Sequence, residues 1–372
     1  MTDVCVIGTR GIPDFVGGIE TICRELYPRI KQIEPAFSIL VLSRLPDKGR
    51  RKFNYCGVEV KVLSAPKVSG LETFIHTFIA IIYARLFIHP KIIHLHGIGP
   101  GFFSGLARLL LFRVVVTHHS TDFNRPKWKW HAKLILKFGE VFSCLFANKV
   151  IFVSKALLED VNTRLPFLRQ KRVLIRNAGA LDFFKVNKSQ RKLPDQLADK
   201  EYILAVGRLD ETKRFHDLIE AFESMSKENL VLVIVGSNYI EDEYVKKIHS
   251  LSSEKVIFLG TKVGNDLKAL YDNAALLVNP SSMEGFCLVI AEGLSAKTPI
   301  LASDIPPHRE FELNESCYFP TGDVATLSKK LSEPNFEAFR SLTAEEIQKN
   351  NTWNVNAKMH LNVFKSIVKD TY

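Results

Sequence analysis

A chain of 372 residues is too long for one ordinary hydrophobic core, so two domains are expected. With 46% hydrophobic and 24% charged residues the composition is globular, which excludes a disordered chain. The net charge of +10 is uneven: residues 1–177 hold 27 Lys and Arg against 12 Asp and Glu, and residues 178–372 hold 23 against 28. A change of sign at mid-chain supports a domain boundary there and makes the first half the part suited to an anionic partner. The six cysteines are scattered, with no C-x-x-C, as expected of reduced thiols in a cytoplasmic protein. The chain runs straight into "DVCVIGT", and no export signal is visible there.

Strand-like and helix-like runs alternate from the start. After "VCVIGT" comes "GTRGIPDFVGGIE", a Gly-rich turn with Gly17 and Gly18 at a helix entrance. Such a turn lets backbone N–H groups approach a phosphate or a sugar, although a tight turn alone would also use these glycines. Gly8, Gly11, Gly17 and Gly18 do not fit G-x-G-x-x-G, and no acidic residue can be assigned to a ribose at the end of a clear second strand. Both points argue against a nicotinamide enzyme. The next strands are expected at "FSILVLS", "VEVKVLS", "KIIHLHG", "RVVVTHH" and "KVIFVS". "TFIHTFIAIIYA", residues 73–84, is too short for a membrane span, which needs about 20 apolar residues. It reads as a buried helix or as one resting on a membrane surface.

"VVVTHHSTD" puts tandem histidines, His118 and His119, at a strand's carboxyl end. In "RPKWKWHAKLILKFGEVF", residues 125–142, basic residues recur beside apolar ones. Trp128 and Trp130 suit an interface there, with Lys127, Lys129, Lys133 and Lys137 as the basic partners of an anionic surface. A solvated helix with its tryptophans packed inside is the alternative.

In the second half strands are expected at "YILAVG", "LVLVIVG", "KVIFLG", "ALLVNP", "PILAS" and "CYFP". Near-continuous β-branched runs indicate strands covered on both faces, as in parallel sheets. Two doubly wound Rossmann-like α/β domains are therefore expected, 1–177 and 178–350, with a join near "IRNAGALDF". An amphipathic helical tail, 351–372, has a docking partner that the pattern does not reveal. Ligands bind beyond the carboxyl ends of such strands, so two domains in tandem imply a cleft between facing strand ends.

"AVGRLDETKRFHDLIEAF" is a strand, a turn and a helix, with Arg208 and Lys213 flanking the turn just after Gly207. A guanidinium and an ammonium so placed can grip a diphosphate from two directions. "NPSSMEGFCLVIAEGLSAKTPILASD", residues 279–304, reads as the end of a strand over Ala274–Val278, a turn over Pro280–Gly285, a helix over Phe286–Ala296 and the next strand. Glu284 then lies in the turn and Glu292 in the helix, eight positions apart and roughly on one face.

Taken in order, "GGIE", "GRLDETKRFHDLIEAF" and "EGFCLVIAE" resemble the retaining glycosyltransferases of family 4, which have the GT-B fold. The E-x7-E element from Glu284 to Glu292 is that family's mark. "GTRGIPDFVGGIET", "THHSTDFNRPKWKWHAKLILKFGE" and "FVSKAL" are similar to a bacterial branch of rhamnosyltransferases of surface-polysaccharide assembly. The resemblance implies that Glu292 bonds the ribose hydroxyls of a nucleotide and that Glu284 lies against the donor sugar. It implies that the backbone of Gly285, Phe286, Cys287 and Leu288 faces the diphosphate. Arg208 and Lys213 would neutralise the leaving group, with Gly17, Gly18 and Gly207 close to the donor. His119 would approach the sugar, and Glu20 and Asp122 are candidates to position the acceptor.

A departing diphosphate met by these groups needs no metal, and there is no convincing D-x-D motif, so neither metal nor other cofactor is expected. The expected partners are a nucleoside-diphosphate sugar, with rhamnose as the first donor, and a lipid-linked glycan at the inner face of the membrane. Rival readings are a transferase with a soluble acceptor, a non-catalytic sugar-nucleotide sensor and a nucleic-acid-binding protein. The last lacks any helix-turn-helix or RNA-binding signature.

Overall fold

The computed structural model describes residues 2–15, 17–66, 71–126, 128–167, 169–179, 193–197, 199–225, 229–237 and 243–369. Two compact units are present: residues 1–177 joined by a returning C-terminal segment from Trp353, and residues 178–352.

Among the described residues the first unit is built on eight strands: β1 (Val4–Ile7), β2 (Ile39–Ser43), β3 (Lys52–Tyr55), β4 (Val58–Val62), β5 (Ile92–His96), β6 (Arg113–His118), β7 (Lys149–Phe152) and β8 (Arg172–Leu174). Their order is β3-β4-β2-β1-β5-β6-β7-β8, parallel except for the β3–β4 hairpin. That hairpin was not foreseen. It turns on Cys56 and Gly57, both at positive φ, 48° and 86°. Two successive left-handed residues make the tight turn whose twist matches paired antiparallel strands. The apolar runs of β1, β2 and β5 are buried along their whole length, as strands covered on both faces should be. The helix Glu72–Tyr83 buries His76, Thr77, Ala80 and Ile81 but leaves Phe78 exposed, so this apolar segment is only half inside.

The C-terminal helix Trp353–Lys369 docks on this first unit. Ala357, Leu361, Phe364 and Ile367 recur at helical spacing and enter the core that holds Val4, Val6, Leu26 and Ile30. Phe364 stacks on Phe37 with ring centroids 6.2 Å apart. Lys365 pairs with Glu34 at 2.5 Å, and the Asn356 amide donates to the Arg176 carbonyl at 2.7 Å.

Among the described residues the second unit has six parallel strands: β9 (Glu201–Val206), β10 (Leu230–Val235), β11 (Val256–Phe258), β12 (Leu276–Asn279), β13 (Ile300–Ser303) and β14 (Tyr318–Phe319). Their order is β11-β10-β9-β12-β13-β14. The chain leaves β9 to one side for β10 and returns to its other side for β12. The crevice at the carboxyl ends of β9 and β12 is thus the topological switch point, where such sheets bind ligands.

Candidate functional site

Both sides of that switch point carry chemistry. Beyond β9, Gly207 and Gly236 bring two strand ends together: a Cβ on Gly236 would lie 1.8 Å from the Gly207 carbonyl oxygen. Only glycine fits there, also because Gly236 has φ +145°. Arg208 follows and pairs with Asp210 at 3.0 Å. The Asp210 carboxylate accepts from the Thr212 N–H at 3.1 Å and so shapes the short turn Glu211–Lys213. From beyond β12, the Ser282 N–H donates to the Thr212 carbonyl at 2.8 Å. The two loops are pinned to each other, and the pinning presents Lys213 to Glu284.

The Lys213 ammonium lies 2.5 Å from Glu284 Oε1, and the Ser281 hydroxyl donates to the same oxygen at 2.9 Å. Burial alone would push the Glu284 carboxyl up; the charges of Lys213 and His308 and these two bonds outweigh it and hold it below its usual value. Two residues that the motifs did not mark thus complete the pair. Ser281 is one, and Asn279 is the other: its side chain accepts from the Ser281 N–H at 3.1 Å and donates to Cys287 Sγ at 3.0 Å.

The helix expected from Phe286 begins at Leu288 and runs to Ala296, with Cys287 at its N-cap. The Cys287 backbone is extended, and Phe286 turns to pack on Phe311 at 5.1 Å between ring centroids. Gly285 and Phe286 therefore belong to the turn. The N–H groups and dipole of the first helical turn, which opens at Cys287, suit an anion. Within the helix, Glu292 accepts from the Tyr271 hydroxyl at 2.6 Å, which sets the orientation of its carboxylate. Burial, then the charge of Glu292, raises the Tyr271 phenol well above its ordinary value, so Tyr271 stays a donor.

Glu284, Cys287 and His308 place a carboxylate oxygen, a thiol and a ring nitrogen within 4.8 Å of one another, the residue types of a metal site. His308 Nδ1 is 2.7 Å from the Ser303 carbonyl, and burial first of all lowers its pKa to about 4. A cation entering this cluster would meet the Lys213 ammonium already on the carboxylate. The repulsion of two cations at such range works against it. The ammonium is the counter-charge of this carboxylate.

In the first unit a Cβ on Gly17 would lie 2.2 Å from Glu20 Oε2 and 2.5 Å from Arg10 Nη2, so a side chain there would have to push these two side-chain ends aside. Gly18 faces open space. Glu20, a candidate to position the acceptor, is buried and gripped by Arg10 through two bonds of 3.0 Å. A carboxylate so paired is a strut for the glycine turn, and the candidate role loses its support. Asp122 accepts from the Ser120 hydroxyl at 2.7 Å and pairs with Arg125 at 2.7 Å. His118 faces the core, 2.8 Å from Glu140. Burial would raise the Glu140 carboxyl, but hydrogen bonds from His118 and Arg164 hold it down at about 2. His119 is half-buried at the end of β6, and its pKa is lowered to about 3 by burial and then by the neighbouring His118.

Known proteins resemble this chain in sequence and in fold. A family model described as glycosyl transferases group 1 matches residues 187–333, and one described as glycosyltransferase family 4 matches residues 16–181. An uncharacterized glycosyltransferase of Methanocaldococcus jannaschii is 30% identical over 241 residues, 61% of this chain and 62% of that protein. The chain thus spans somewhat less than two thirds of that relative. The N-acetylgalactosamine-N,N'-diacetylbacillosaminyl-diphospho-undecaprenol 4-alpha-N-acetylgalactosaminyltransferase of Campylobacter jejuni is 26% identical over 77% of this chain and 78% of its own. Among solved structures, sucrose-phosphate synthase from Thermosynechococcus elongatus superimposes with a TM-score of 0.81 at 19% identity, over 100% of both chains.

Proposed function

We propose that this chain, a GT-B glycosyltransferase of the family 4 type, moves a sugar from a nucleoside diphosphate to a growing glycan with retention of configuration. The observation that carries this reading is the Lys213–Glu284 pair beside Arg208 at the switch point of the second unit. Negative charge grows on a diphosphate as the glycosidic bond breaks. A fixed ammonium, a guanidinium and a helix N-terminus stabilise that charge without rearranging. Glu284 accepts a hydroxyl of the sugar, Glu292 takes the ribose, and His119 bonds the transferred sugar. The departing phosphate accepts the proton of the attacking hydroxyl on the face it leaves, which retains the anomeric configuration. Release of nucleoside diphosphate from a panel of sugar donors tests the reading, with a deoxythymidine-linked rhamnose as the donor expected to lead. Binding without turnover of any donor would instead favour a sensor. Activity is expected to survive a strong chelator; complete loss in EDTA, restored by magnesium, would overturn the metal-free account.

The acceptor in this reading is lipid-linked, as the diphospho-undecaprenol acceptor of the Campylobacter relative supports. The helix Trp130–Phe146 adds a physical reason. It exposes Trp130, Leu134 and Phe138 at four-residue spacing, a single apolar stripe. Lys129 and Lys137 are exposed beside it, Lys133 is half-buried, and Lys127 lies outside the described residues. Trp128, expected with Trp130 at the interface, is half-buried. No described helix is long and apolar enough to cross a membrane. Each basic residue near an anionic bilayer adds about 1 kcal/mol, so binding should be reversible and released by salt. The protein is expected to co-sediment with anionic but not neutral vesicles at low salt. Replacing Lys127, Lys129, Lys133 and Lys137 by Gln should weaken this and leave nucleotide binding intact. Indifference of the wild type to anionic vesicles would favour a soluble acceptor.

A further inference from the structure

A buried chain of side chains ends at His119. β5 carries His94 and His96 two residues apart, so both rings leave the same face of the sheet. Tyr27, on the helix Gly18–Ile33, meets both: its hydroxyl is 2.8 Å from His94 Nδ1 and 2.5 Å from His96 Nε2. His96 Nδ1 is 2.9 Å from His119 Nε2, and His94 Nε2 is 2.7 Å from the Thr117 hydroxyl. Tyr27, His94, His96 and Thr117 are shut off from solvent, none more than 1% exposed.

Each contact holds one proton, and a phenol has one to give, so Tyr27 donates to one ring and accepts from the other. Only two arrangements satisfy all four contacts with neutral rings. If the protons point from His119 toward Thr117, the threonine accepts. Its own buried O–H, whose partner among the described residues is His94, is then left without an acceptor. In the reverse arrangement Thr117 donates to His94 Nε2, His94 Nδ1 to Tyr27, Tyr27 to His96 Nε2, and His96 Nδ1 to His119 Nε2. Every buried proton is then accepted, and an unmet buried donor is what proteins avoid. Burial keeps all three rings neutral, lowering the pKa values of His94, His96 and His119.

We propose that Tyr27, His94 and His96 are positioning residues that fix His119 as the tautomer protonated at Nδ1. His119 is then a neutral hydrogen-bond donor, not a base, and the substrate atom it meets is an oxygen with a free lone pair. Its Nδ1 has no hydrogen-bond partner among the described residues. The inference rests on the reading of His119 as a residue that touches the sugar, and it adds which nitrogen does so and what sets it.

Long-range proton–nitrogen spectra of the full chain, labelled in the histidine rings, report the tautomer directly. The wild type is expected to show His119 with a protonated Nδ1 and a bare Nε2; the opposite pattern would overturn the proposal. Tyr27→Phe takes the donor from His96 and is expected to move His119 toward the Nε2-protonated form. It should also lower kcat by about ten-fold, the worth of one neutral hydrogen bond. His96→Asn can still donate an amide proton to His119 Nε2 and is expected to keep the wild-type tautomer, whereas His96→Leu loses it. This pair decides the matter if Tyr27→Phe does not fold. An unchanged His119 tautomer in both Tyr27→Phe and His96→Leu would refute the coupling. His119→Ala separates the two levels: full activity in that variant removes His119 from the substrate and leaves the tautomer result to be judged by the spectra.

Discussion

Lys213→Ala is expected to lower kcat by about 10²-fold, the cost of removing one fixed stabiliser of developing charge. The loss should fall on kcat as well as on donor affinity, because the leaving group is more negative in the transition state than in the bound donor. The variant also leaves Glu284 buried without its counter-ion, a change that costs about 3–5 kcal/mol when a buried pair loses one member. In the wild type the Lys213 charge holds the Glu284 carboxyl below its ordinary value. This contribution to stability is therefore present above the unfolded pKa and is lost as pH falls through the folded one. Without Lys213 the largest influence left is burial, which raises the carboxyl, and the sign reverses: the variant should lose stability as pH rises through the carboxylate range. Steady-state kinetics and denaturation at several pH values check both halves. A raised KM with unchanged kcat would place Lys213 on the ground state alone.

Glu292→Ala is expected to weaken binding of the nucleoside diphosphate by ten-fold or more. Hydrogen bonds to a charged group are worth about 1.5–3 kcal/mol, and a carboxylate can accept from both ribose hydroxyls. Tyr271 fixes one of its oxygens at 2.6 Å, so the carboxylate is oriented before the ligand arrives. Tyr271→Phe should therefore show a smaller loss of the same kind. Calorimetry with the nucleoside diphosphate alone measures both. Unchanged affinity in a folded Glu292→Ala protein would remove this residue from the site.

The alternation of apolar runs was enough to place both parallel sheets, because strands covered on both faces need continuous β-branched segments. It did not reveal β3, whose exposed alternating face carries little hydrophobic signal, although Cys56–Gly57 was the available cue for a hairpin, nor β8, which is only three residues long. In the site, the residues that bear charge in a motif were legible: Arg208, Lys213, Glu284 and Glu292. Those that orient them were not. Ser281, Asn279, Tyr271 and His308 act through contacts set by the tertiary fold, and a short polar residue in a loop has no pattern of its own. Glu20 shows a further limit, since its partner Arg10, ten residues earlier, is one that no local spacing exposed. The histidines of "IIHLHG" did carry a signal. Two polar rings at alternate positions of an otherwise apolar strand must both find partners on one face, which is the bond pattern that Tyr27 supplies.

The return of the C-terminal helix makes the first unit an interrupted one. Phe364 and Ile367 belong to the same core as Val4 and Val6, more than three hundred residues apart in the chain. The second unit is drawn from one continuous stretch and can close its core as soon as that stretch has been synthesised. The first must keep an apolar face uncovered until the final helix emerges, and contacts of such sequence separation form late. In a cell the order of maturation is thus inverted: the part of the chain made first is the part finished last.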